Sequence, residues 1–350
     1  MASTRRPMAI PVLALALYAA ACGESTSPPA VDPTAMASAV NAFSTTFTGN
    51  AAFQSLSALS SAFTLSAPPV RQAAPQPAGG SAWFASVAAE KSLMGDLMGR
   101  APTAIQALFP ANVLGKTFQW DTAKGGKYRI VDSTLAGASS SGPRFFLYVV
   151  IPGTSKPALP LQKIGTVDLV DVSTPQANIL HTTLQFGTQT ISDYTITGVK
   201  TTSSLTLNAT GYITDGVTQT TFTLQHALTL ADSSLVTDYQ VSGGGAGVTM
   251  HTALSGAGGG NAALDWIVQK GGSIEVVGTS TPSVISVQFK FNGTPWVTVG
   301  GSPASPTFTA AAGHVVTAGD LVALAQILQG FSAIAVDLNG VFGPAFLVFK

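Results

Sequence analysis

The sequence predicts an α+β protein that is mainly β: a large antiparallel meander sheet, able to curl into a half-barrel, with N-terminal helices and one C-terminal helix. Three observations carry this. Apolar residues recur at helical spacing before residue 66, alternate with period two from Thr117, and return to helical spacing after Thr317. The alternating runs have one apolar face and one face of Thr, Ser and Gln, as in antiparallel strands with one wet side. Asp215-Gly216 and Asn292-Gly293 fall between such runs and mark tight hairpin turns.

The elements follow in chain order. Asp32-Pro33 reads as an N-cap followed by the first helical residue. Met36, Val40, Phe43 and Phe47 form one apolar stripe, Gly49-Asn50 breaks it, and Phe53, Leu56, Leu59 and Phe63 form a second. A helical hairpin is expected over 32–66, followed by a Pro/Ala-rich linker over 67–82. The remaining 83–350 is expected to be one β-rich domain, with mixed helical character from Trp83 to Met98.

Strands are expected at Thr117–Trp120, Lys127–Val131, Arg144–Ile151, Gly165–Val172, Ile179–Phe186, Thr190–Thr197, Ser204–Ile213, Thr218–Leu230, Leu235–Ser242 and Val248–Leu254. Ser273–Val277, Val284–Phe291 and Trp296–Val299 follow. Thr317 to Asp320 has the form of a capping box, Leu321, Leu324, Ile327 and Leu328 give a stripe, and Gly330 reads as a stop, so a helix is expected over 318–329. Ile334–Leu338, Asn339-Gly340 and Ala345–Phe349 then read as a closing hairpin.

One internal repeat is present. At a shift of 45 residues, His181 aligns with His226, and Asp193-Tyr194 aligns with Asp238-Tyr239 inside similar alternating runs. Two copies are too few for a solenoid and fit duplicated strands within one sheet.

The N-terminus is a targeting segment. Arg5 and Arg6 precede an apolar run from Met8 to Ala21, too short for the roughly 20 residues a spanning helix needs. The run ends in Leu17-Tyr18-Ala19-Ala20-Ala21-Cys22-Gly23, and Cys22 is the only cysteine of the 350 residues. This arrangement resembles the lipobox of bacterial lipoproteins. The resemblance implies a signal peptide over 1–21, cleavage before Cys22, and acylation of Cys22, which would hold the chain in a membrane. Ala19 stands where the family most often has Leu. Residues 22–31 would form a disordered Ser/Thr/Pro tether. Gly23-Glu24 lacks the Asp that keeps some lipoproteins in the inner membrane, so the implied location is the bacterial cell envelope, at the outer membrane.

Composition narrows the function classes. Lys plus Arg and Asp plus Glu are 16 each, and loss of Arg5 and Arg6 leaves 14 against 16, a net charge of −2. No basic run exists, so nucleic-acid binding is not expected. Charged residues are 9% of the chain, well below the roughly 25% usual in soluble domains, so hydroxyl-rich faces must carry solubility.

Chemistry-bearing residues are sparse. His181, His226, His251 and His314 show no metal-ligand spacing, and no cysteine remains to join them. His181 and His226 read as a shared binding position or, with more weight, as surface strand residues inherited by duplication. Of each Asp-Tyr pair, one side chain should point into the core and the other to water. Asp121, Asp132, Asp168 and Asp171 do not form a calcium loop. Gly243-Gly244-Gly245 and Gly258-Gly259-Gly260 open no phosphate-binding helix, and no nucleophile elbow is present. Trp83, Trp120, Trp266 and Trp296 read as core anchors. No catalytic residue, cofactor or metal is implied, and an enzyme is not expected.

Two functions remain. The element order resembles half-barrel lipoproteins that carry lipids or other lipoproteins, which implies an apolar ligand between sheet and helices. The alternative is a cell-surface structural or protein-interaction module without a ligand pocket.

Overall fold

The protein is described by a computed structural model covering residues 32–62, 91–99, 106–123, 126–131, 137–151, 156–256, 260–281, 283–302, 305–313 and 315–349. Cys22, the signal peptide, the tether, the 67–82 linker, Phe63, Trp83, Asp132, His314 and most of Gly258-Gly259-Gly260 lie outside these residues.

The expected α+β, mainly β architecture is present. Two helices, α1 (Pro33–Thr48) and α2 (Ala51–Ala62), precede a helical stretch over residues 91–99, here α3. Fifteen strands follow among the described residues: β1 (Thr117–Asp121), β2 (Lys127–Ile130), β3 (Arg144–Tyr148), β4 (Lys163–Asp171), β5 (Asn178–Phe186), β6 (Gln189–Lys200), β7 (Ser204–Thr214) and β8 (Gln219–Thr229). The rest are β9 (Ser234–Gly243), β10 (Ala246–Ser255), β11 (Asn261–Gln269), β12 (Ser273–Ser280), β13 (Ile285–Phe291), β14 (Thr294–Ser302) and β15 (Ser305–Ala310). Helices α4 (Ala318–Asn339) and α5 (Gly343–Val348) close the chain, joined by a 3-10 turn over Gly340–Phe342.

All strands join one open sheet in the order β15 to β3, then β1 and β2. The pairing is antiparallel throughout except for β1 against β3, which is parallel over two residue pairs. The helices lie on one face. Inward residues such as Leu169, Leu184, Ile196, Leu224, Val268, Val276 and Phe289 are at most 1% exposed. One contiguous core joins them to α1, α2, α4 and α5.

The C-terminal helices run across the strands. Phe331 packs on Trp266 of β11, Asn339 bonds Tyr239 of β9, Phe342 packs tilted against His226 of β8, and Phe349 sits over Gly198 of β6. Five strand spacings are about 24 Å and eighteen helical residues about 27 Å, so the path is close to perpendicular to the strands. Helix α1 lies beside α4, with Val40 on Gly330 and Ser44 bonded to Asp337. α1 contacts β11 and β7, whereas α2 contacts β3, β4 and β5. Rather than folding back as a hairpin, the two helices therefore follow one another across the sheet. Asn50 at the joint accepts bonds from the Ala52 and Phe53 N–H groups and starts α2.

Two expectations are corrected at the C-terminus. The helix predicted for 318–329 runs to Asn339, and the closing hairpin of 334–349 is helical. Gly330 is not a stop. A Cβ there would stand 2.3 Å from Val40 Cγ1, so glycine marks the helix crossing. Beyond it Phe331, Ile334, Ala335 and Leu338 keep the helical stripe and are all buried. The span 318–346 is apolar enough to cross a membrane by length, with mean hydropathy 1.7, yet half of that window is buried inside the protein. Two strands beyond those expected are present, β11 and β15.

Candidate functional site

The face of the sheet opposite the helices is built by period-two alternation. Where Leu205, Leu207 and Ala209 of β7 point inward, Thr206, Asn208 and Thr210 point outward. The same phase puts Thr221, Thr223 and Gln225 of β8 and Asp238 and Gln240 of β9 on the outer side. Cross-strand partners then bond one another. Arg144 grips Asp168 through Nε and Nη2 at 2.6 and 2.7 Å, Gln225 donates to Asn208 at 2.9 Å, and Lys290 donates to Glu275 at 2.7 Å. Between β7 and β10 a shallow concavity of about 310 Å³ is lined by Asn208, Thr223, Gln225, Asp238, Gln240 and Thr249. These amides, hydroxyls and one carboxylate form a dense array of hydrogen-bond donors and acceptors.

Two His–Asp pairs stand on this face. His181 Nε2 lies 2.8 Å from Asp193, and His251 Nδ1 lies 2.5 Å from Asp238. The two aspartates are the equivalent residues of the repeat, but their histidines are not. Asp193 meets His181 on the preceding strand, and Asp238 meets His251 on the following one. His226, the repeat equivalent of His181, is fully buried, which corrects the surface expectation. The cause is the register. His181 pairs with Thr195, 14 residues on, and His226 with Thr237, 11 residues on. Of this odd difference, two residues come from the longer β8–β9 turn and leave the face unchanged. β5 and β6 pair with a bulge at Leu184/Gln185, whereas β8 and β9 pair without one. A single extra residue moves everything beyond it to the other face. The Asp-Tyr expectation agrees with the structure: Tyr194 and Tyr239 are buried, and Asp193 and Asp238 face outward.

Under the sheet, a polar seam joins it to the helices. His226 Nε2 lies 2.8 Å from the Tyr239 hydroxyl, which donates to Asn339 Oδ1 at 2.7 Å. The single phenolic proton goes to Asn339, so His226 must donate from Nε2. Nearby, Ser44 donates to Asp337 at 2.9 Å. Burial pushes the Asp337 carboxyl up to about 7, against the opposing pull of the Ser44 hydrogen bond. Burial likewise raises the Tyr194 phenol, which faces Thr182 across the strand pair. This seam ties α4 to the sheet and α1 to α4.

The other singled-out residues have local tasks. Asp171 accepts the Leu108 and Ser173 N–H groups, and Asp121 accepts that of Ala123. Gly244 and Gly245 take positive φ in the turn between β9 and β10. Trp266 and Trp296 are core anchors at 2% exposure, while Trp120 is half-buried. Among the described residues, no group of three or more His, Cys, Asp or Glu side chains converges as a metal site.

No protein-family model, no curated protein and no solved structure matches the chain.

Sequence reasoning missed the His251–Asp238 pair and the Asp337 seam. The first was detectable once the strands were paired, because His251 and Asp238 are direct register partners. The second lay in a segment read as strand.

Proposed function

We propose that this chain is a lipid-anchored protein of the bacterial cell envelope, held through acylated Cys22 at the outer membrane, and that it is an interaction module working through the outer face of its sheet. The anchor reading rests on the lipobox-like segment ending at Cys22. The module reading rests on one observation: the chain's own helices fill the apolar face of the sheet, and the polar face stands open to solvent. Carriage of an apolar ligand would require a cavity between sheet and helices. Among the described residues, the side chains between sheet and helices form one contiguous buried core, with Leu184, Ile196, Leu224, Phe331 and Phe342 at 0% exposure.

Native mass spectrometry of protein extracted from membranes tests this. The expected mass is that of the acylated chain alone. A lipid retained non-covalently at one per chain would overturn the module reading in favour of a carrier.

A further inference from the structure

The hairpins of an antiparallel sheet alternate between its two ends, and the two ends of this sheet differ. At one end lie the β3–β4 loop and the β5–β6 and β7–β8 turns, spaced two strands, or about 10 Å, apart. They carry exposed apolar side chains: Ile151, Leu159 and Leu161 on the first, Phe186 on the second, Val217 on the third. Val217 is 94% exposed, Leu159 69% and Phe186 49%. At the opposite end Ile130, Val172, Val199, Leu230 and Val284 are exposed too, but none beyond 53%, and no aromatic ring stands among them.

The first group is held together. Ala158 N–H donates to Val149 O, and Gly187 N–H to Ile164 O. Phe186 pairs with Gln189, whose side chain lies against Gly216 in the next turn. The Asp215 carboxylate accepts the Val217 and Thr218 N–H groups and fixes the tip that presents Val217. Lys156 and Lys163 flank the apolar group, Lys163 with its ammonium 3.6 Å from the centre of the Phe146 ring. Lys127, paired with Asp121, joins them at the same end, because β1 runs parallel to β3. The carboxylates there are engaged: Asp121 with Arg129, and Asp215 with its own turn.

We propose that this end of the sheet is a rim that docks on a lipid surface, with Leu159, Leu161, Phe186 and Val217 entering the interface and Lys156 and Lys163 meeting anionic headgroups. Exposed apolar side chains with cations beside them are the composition of an interfacial contact, and several small insertions add up where one would not hold. The inference rests on the lipid-anchor reading and adds an orientation to it. The reach is sufficient. Asn50, just past the end of α1, lies 3.5 Å from Thr214 O beside this rim. α1 is about 24 Å long. The ten residues from Cys22 to Val31 span up to about 35 Å when extended, so an acylated Cys22 and the rim can share one membrane plane.

The single cysteine makes the test clean. Acylation blocks Cys22, so Val217→Cys introduces the only free thiol, and Val284→Cys does the same at the opposite end. Each full-length variant is labelled with an environment-sensitive dye and reconstituted in phosphatidylethanolamine/phosphatidylglycerol vesicles. The dye at 217 should shift to the blue and be quenched by lipid-borne nitroxide, and the dye at 284 should stay aqueous. Both dyes aqueous, or both equally quenched, would overturn the rim. If two thiols label in each variant, the anchor reading has failed instead. The rim is then read on a Cys22→Ser chain added to the same vesicles. Leu159→Asp with Val217→Asp should weaken its binding at least about tenfold. Unchanged binding by a variant with an unchanged melting curve would overturn the proposal.

Discussion

Gly330→Ala is the most informative single substitution in the core. In an ordinary helix it would stabilise by about 1 kcal/mol, because alanine gives up less backbone freedom than glycine. Here the new Cβ would stand 2.3 Å from Val40 Cγ1, 3.2 Å from Val40 Cβ and 3.3 Å from Asn41 Oδ1. Carbon atoms in contact sit at about 3.5 Å, so the crossing of α1 and α4 must open by roughly 1.2 Å. Val40 is fully buried, and a helical valine is held to one strongly preferred rotamer, so it cannot turn aside cheaply. Overpacking of this kind costs about 1–3 kcal/mol, and an overlap this large belongs near the top of that range. The expected net is a loss of about 2 kcal/mol after the helix gain. The assay is thermal unfolding by circular dichroism, where that loss lowers Tm by about 3 °C in a chain of this size. Val40→Ala combined with Gly330→Ala should recover part of the loss, with a coupling energy of about 1–2 kcal/mol. A rise in Tm for Gly330→Ala alone would refute the close crossing, and with it the placement of α1 on α4.

Three further outcomes follow from the polar contacts. Asp337 has a folded pKa raised from 3.8 to about 7, so the folded state binds the extra proton. Its contribution to stability is full below about pH 4 and is lost as pH rises toward 7. Asp337→Asn should therefore stabilise the protein above pH 7 by up to about 4 kcal/mol and do little near pH 4, as urea unfolding at the two pH values would show. Tyr239→Phe removes the hydroxyl between His226 and Asn339 and should cost about 1–3 kcal/mol, read as a lower urea midpoint with an unchanged slope. Ser55→Ala strips the acceptor from the Tyr148 N–H in a buried contact between α2 and β3. It should cost a similar 1–3 kcal/mol and speed hydrogen exchange at that amide.

Much of the fold was legible because burial follows period. The alternation in β13, that of β6 from Tyr194 onward, and the stripe of Met36, Val40, Phe43 and Phe47 each match the buried face, whereas Ile191 and Ser192 are both buried at the bulge. The capping box at Thr317 and Asp320 forms as read. The failures have separate physical causes. Gly330 and Asn339-Gly340 carry the marks of a helix stop and a hairpin turn, but tertiary packing overrides them: one glycine admits Val40, and the apolar spacing continues past both. β11 carries a weak signal because alanine, asparagine and aspartate, poor strand formers, fill four of its nine positions, although Ala262, Leu264, Trp266 and Val268 alternate inward. β15 is short, contains Pro306 and is exposed along most of its length. The faces of His181 and His226 depend on strand register, set by the bulge at Leu184/Gln185 together with the turn lengths, and an ungapped repeat alignment does not carry it. The proposed role of Cys22 rests on local sequence chemistry alone, since the residue lies outside the described structure.

The central claim is that the chain is anchored through Cys22, and intact-mass analysis of the membrane-extracted protein addresses it directly. The account predicts a chain beginning at Cys22 and carrying fatty acyl groups on that residue, with Cys22→Ala neither acylated nor cut at that position. An unmodified N-terminus at Cys22, or a chain cleaved elsewhere and free of lipid, would contradict it.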